Sequence, residues 1–92
     1  MITTVKARFI FLYVPDDDNH VVIEEIKDEA AEWLCGRVCG FYGWRVKDTV
    51  DIIDVYTKNK RNLVEFLAEF ATEDFDSVKA YAEQIISFKE EY

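Results

Sequence analysis

Residues 63–76 read LVEFLAEFATEDFD, and the folding of this stretch decides the fold. Five carboxylates are interleaved with Phe, Leu and Val, and no cation stands among them. We read it as helical. Asn59 or Asn62 caps a short helix through Ala71. Thr72 or Asp74 then opens a last helix whose buried stripe is Phe75, Val78, Ala82, Ile85 and Phe88. In that geometry Glu65 and Glu69 share a face, and Glu73 continues their line if the helix persists through Thr72. Like charges one turn apart cost a few tenths of a kcal/mol per pair, roughly 0.2–0.5. Such a row asks for a reason outside the monomer.

On the N-terminal side, Thr3 to Val14 alternates and then turns fully apolar. Val5, Ala7, Phe9, Phe11 and Tyr13 share one face, which predicts a strand that runs into the interior. Pro15 ends its ladder, and Asp18 or Asn19 can cap a helix beginning there. From about His20 to Val38 the period is helical. Val22, Ile26, Ala30, Trp33, Leu34 and Val38 recur at steps of three and four, Gly36 loosens the last turn, and Gly40 suits a helix stop. Residues 41–46 and 49–57 read as strands, with Lys47 and Asp48 turning between them. Val50, Ile52 and Val55 point inward there, with an ambiguity at the Ile52–Ile53 doublet. The order is strand, helix, two strands, two helices. It predicts a single α+β domain over residues 1–92, with a small, largely antiparallel sheet and about three helices packed on it.

The chain of 92 residues is long enough for one small domain, half its residues are hydrophobic and 15% are aromatic. A domain of this size buries about 60–65% of the surface its unfolded chain exposes. Apolar surface beyond that need is available for a subunit interface. The run FIFLYV, residues 9–14, is too short to span a membrane, and three aspartates follow it almost at once. The expected setting is the cytoplasm, with no membrane partner.

Little in the sequence is organised for catalysis. His20 is the only histidine, so a Ser–His–Asp or Cys–His site has one candidate base, placed at a predicted turn. Asp16, Asp17 and Asp18 lack the glycine and the distal glutamate of a calcium loop. Gly36, Gly40 and Gly43 form no phosphate-cradling loop. Cys35 and Cys39, spaced C-x3-C, fit neither a redox pair nor a zinc site and read as reduced thiols. The expectation is a protein that is not an enzyme and uses no metal or cofactor.

The charge layout says more. Eleven basic and nineteen acidic residues give a formal charge of −8, which disfavours direct nucleic-acid binding and favours cationic partners. Residues 16–32 carry eight acids and one lysine, and residues 62–92 carry eight acids and two lysines. Residues 33–61, with six basic residues and three acids, are mildly basic. Acids one helical turn apart are spaced by about 6 Å, a separation comparable to that of phosphates along a DNA strand. The candidate phosphate-mimicking residues are Asp16, Asp17, Asp18, Glu24, Glu25, Asp28, Glu29 and Glu32 in the first acidic segment. In the second they are Glu65, Glu69, Glu73, Asp74 and Asp76. Their partner would be a protein with a basic DNA-binding cleft. A homodimer is expected as well, because one small domain offers only a short charged surface. Its interface candidates are Phe41, Tyr42, Trp44 and Arg45, residue types enriched at interface cores.

The stretches VVIEEIKDEAAEWL (21–34), GFYGWRV (40–46) and NLVEFLAEFATEDFDSV (62–78), with the size and acidity of the chain, resemble the Arn family of anti-restriction proteins of T-even bacteriophages. That resemblance implies a DNA-mimicking inhibitor of the McrBC restriction nuclease, which acts on modified DNA. It supplies no catalytic residues and no binding motif that can be placed on this chain. The other reading of the same charge layout is an acidic interaction module that binds a different host DNA-associated protein, such as a nucleoid or transcription factor.

Overall fold

Strand β1 (Ile2–Leu12) forms because of its alternation: every odd residue from Thr3 to Phe11 is buried and every even one is half-buried or exposed. The structure, a computed structural model, describes residues 2–13, 23–38, 40–41, 50–57 and 63–91. Helix α1 (Ile23–Arg37) turns Ile26, Ala30 and Leu34 into the core, with Val38 just beyond its end and Trp33 half-buried beside them. Glu24 and Glu25 in its first turn and Arg37 in its last complement the helix dipole. Arg37 closes the end by donating from Nη1 to the Trp33 carbonyl at 3.2 Å, its guanidinium 4.6 Å from the Trp33 ring centroid. Gly40 then adopts φ +71, as expected of a helix stop, and its carbonyl accepts from the Glu73 N–H at 2.6 Å.

Strand β2 (Val50–Thr57) buries Val50 and packs Ile52 and Val55 against the core. Its register against the next strand shifts between Ile52 and Asp54, so Ile53 is an extra residue, 43% exposed. This bulge resolves the isoleucine doublet. Ile52 faces in before it and Val55 faces in after it.

The largest departure from expectation is at residues 63–72. They form strand β3 (Leu63–Thr72), not a helix. Val64, Phe66, Ala68, Phe70 and Thr72 step by two and are all buried, a pattern that a strand satisfies and a helix scatters around its circumference. The next helix, α2 (Phe75–Tyr81), begins at Asp74 as expected but has only seven residues. Val78 is buried as predicted. The expected stripe does not continue in helical geometry, because Ala82 is extended and the Glu83 N–H donates to the Arg8 carbonyl at 2.8 Å. The chain thereby joins the edge of β1 as strand β4 (Gln84–Glu91), so Ile85 and Phe88 belong to a strand. Two helices are present among the described residues, where about three were expected.

The sheet has the order β2-β3-β1-β4, with every neighbouring pair antiparallel. Both helices lie on one face. The Trp33 ring meets Phe9 at 6.2 Å and Phe66 at 6.0 Å on the sheet, and Tyr81 of α2 at 6.4 Å. Phe9 and Phe66 stack at 5.3 Å in the middle of this core. Neither described helix packs on the opposite face of the sheet, where Glu65 is nonetheless only 4% exposed. Of the strand expected at 41–46, Phe41 forms an isolated bridge to Thr72, and residues 42–49 lie outside the described residues. No described helix is long and apolar enough to cross a membrane.

Candidate functional site

Helix α1 sorts its residues by face. At about 100° per residue, Glu24, Glu25, Asp28, Glu29 and Glu32 occupy an arc of about 140°. Its centre lies about 170° from the mean direction of Ile26, Ala30 and Leu34. The burial of those three residues therefore turns the acids to solvent, and all five are exposed. Lys27 sits outside the acidic arc, on the flank. From Glu24 to Glu32 the ridge is about 12 Å long, which is one carboxylate per about 3 Å of axis. One DNA strand carries a phosphate per about 3.4 Å.

The acids of the second segment are carried by other elements than α1. Glu65 and Glu69 lie on a strand, four residues and about 13 Å apart, with Leu67 between them on the same face. Glu65 is only 4% exposed, and its Oε1 accepts from Arg8 Nη1 at 3.4 Å. A place for it among the phosphate mimics requires a helix that does not form, and its carboxylate is committed inside the domain. Glu69 is exposed, opposite Lys6 on one side and Asp51 on the other. Glu73 is exposed at the turn into α2, and Asp76 holds Lys79 Nζ at 3.1 Å. Asp74 is the N-cap of α2. It accepts from the Ser77 hydroxyl at 2.6 Å and from the Ser77 N–H at 3.2 Å, and these bonds hold its carboxyl below the ordinary value of 3.8. Asp16, Asp17 and Asp18 lie outside the described residues.

Of the interface candidates, Phe41 is half-buried with its ring 5.3 Å from Phe70, so it packs within the domain. Tyr42, Trp44 and Arg45 lie outside the described residues. Asp51 and Asp54 are hidden in the sequence because they sit in its mildly basic middle. Asp51 and Asp54 are both exposed on β2, and strand pairing brings Asp51 beside Glu69. Only the pairing of distant segments reveals this. Among the described residues no group of three or more His, Cys, Asp or Glu side chains is arranged to hold a metal ion.

No family model, no curated protein and no solved structure matches this chain. The site is therefore defined by its own geometry: an exposed acidic ridge on the outer side of α1, carried by a two-layer α+β domain.

Proposed function

We propose that the chain is a non-enzymatic inhibitor that imitates a DNA strand. It occupies the DNA-binding surface of a modification-dependent restriction nuclease of the McrBC type. One observation carries this reading: the five exposed acids of α1, set opposite its buried stripe and spaced along the axis much as phosphates are along a strand. A row of like charges weakens its own helix slightly and is compensated when a cationic surface covers it. The sequence resemblance points to the same target.

The test is inhibition of DNA cleavage by a purified McrBC-type nuclease. Inhibition should be relieved by excess duplex DNA. It should also weaken steeply between 0.1 M and 1 M salt, where the Debye length falls from about 10 Å to about 3 Å. Binding that duplex DNA cannot displace would assign the ridge to a site other than the DNA cleft, and the mimic reading would fail.

A further inference from the structure

Strand β4 ends the sheet, and its outer edge has no strand beside it among the described residues. Such an edge offers backbone N–H and C=O groups as a template for a further strand, and charged side chains or proline usually guard it. The two edges of this sheet differ in that respect. Strand β2 carries Asp51 and Asp54, both exposed. Strand β4 instead carries Ile86 and Phe88, 41% and 58% exposed. Against this edge lies a groove of about 630 Å³, lined by Phe75 and Lys79 of α2 and by Ile85, Ile86, Phe88 and Glu90 of β4. The Phe75 and Phe88 rings meet within it at 4.9 Å.

The register sets which side chains face the groove. Ile85, Phe88 and Glu90 pair with Ala7, Val5 and Thr3, so they lie on the helix side of the sheet. Lys89 pairs with Thr4 and lies on the other side. The shift in register at this point makes Ile86 the extra residue of a bulge. Lys79 is already held by Asp76 at 3.1 Å, whereas no ion pair holds Glu90 among the described residues. The groove therefore presents two apolar positions and, one strand repeat beyond Phe88, a carboxylate that still lacks a cation.

We propose that this edge takes an extended segment of a partner protein as a further strand, antiparallel to β4 as every other neighbouring pair in the sheet is. In that orientation the segment reads cation, any residue, apolar, any residue, apolar. Its Lys or Arg lies opposite Glu90, and its two apolar side chains enter the groove beside Phe88 and Ile85. Main-chain hydrogen bonds to β4 supply affinity, and the alternate side chains supply specificity. A second copy of β4 does not meet this requirement. Paired antiparallel with itself, it keeps the same side chains on the helix side, and its one lysine, Lys89, stays on the other. No residue of α1 lines the groove, so the inference is independent of the mimic reading.

A capped synthetic peptide containing Lys-Thr-Val-Thr-Val, titrated into the full chain and followed by amide NMR and hydrogen exchange, tests it. Binding should saturate with a dissociation constant below about 1 mM, and exchange should slow at the amides of β4 but not of β2. Phe88→Ala, at a position already largely exposed, should keep the fold by circular dichroism and weaken binding more than about fivefold. Glu90→Lys should weaken binding about two- to fivefold, and should then favour a peptide with Glu in place of Lys. No saturable binding by the wild type at about 1 mM peptide overturns the proposal. So does binding without slowed exchange in β4, or a Glu90→Lys variant that does not distinguish the two peptides. Protection of β4 that grows with protein concentration in the absence of peptide would put a second copy on the edge and overturn it as well.

Discussion

Gly36 and Gly40 are four residues apart and impose opposite demands. Gly36 lies in the last turn of α1, exposed, and an added Cβ would meet nothing within 4 Å. Alanine there removes backbone freedom from the unfolded chain without touching the fold, so Gly36→Ala should raise stability by about 0.5–1 kcal/mol. Gly40 has φ +71, and a Cβ would lie 3.2 Å from the Asp74 nitrogen and 3.3 Å from Glu73 Cβ. Gly40→Ala should cost at least about 1–2 kcal/mol, the ordinary penalty of a left-handed residue. Urea midpoints of the two variants check this, and shifts of the same sign would refute the local reading. The cap at Asp74 adds a pH dependence. Its folded carboxyl titrates below 3.8, chiefly because the Ser77 hydroxyl donates to it and then because the Ser77 N–H does. The ionised cap therefore contributes in full above the ordinary carboxylate value, and its contribution fades as the pH falls through the lower folded value. Asp74→Ala should be less stable than wild type at pH 7, with the gap closing below about pH 4. A gap of constant size across that range would show that the charge on the cap does not matter.

Among the elements, legibility depends on how many faces are wet. Strand β1 and helix α1 each bury one face and can be read from period alone: Val5 to Tyr13 by twos, Ile26 to Leu34 by fours. Strand β3 imitates a helix in sequence for a physical reason. Its other face carries Leu63 and Leu67, which blurs the alternation, and its glutamates are four residues apart. A step of four is both two strand repeats and about one helical turn, so Glu65 and Glu69 satisfy either period. The burial of Glu65 becomes visible only once Arg8 stands beside it. Helix α2 ends without a glycine or proline to mark the stop, because what ends it is a long-range bond from Glu83 to Arg8. The acidic face of α1 is legible because it needs only the helix itself. The strand assignment predicts a sharp contrast between neighbours. Phe66 is fully buried against Phe9, so Phe66→Ala should cost about 3–5 kcal/mol, a large part of the total stability of a domain this size. Leu67→Ala, on the half-exposed opposite face, should cost about 1 kcal/mol. Thermal or urea unfolding of the two variants decides it, and equal losses would contradict alternation along β3.

Across the whole molecule, the helix layer turns five acids to solvent on the side away from its buried stripe. On the proposed reading this ridge, about 12 Å long, is the surface that meets a cationic target. Glu25→Lys with Glu29→Lys relieves like charge on an exposed helix face, so the fold should persist while target binding weakens by well over tenfold. Circular dichroism checks the fold, and a binding titration with an isolated nuclease DNA-binding domain checks the contact. A folded double variant that binds as tightly as the wild type would place the contact away from α1.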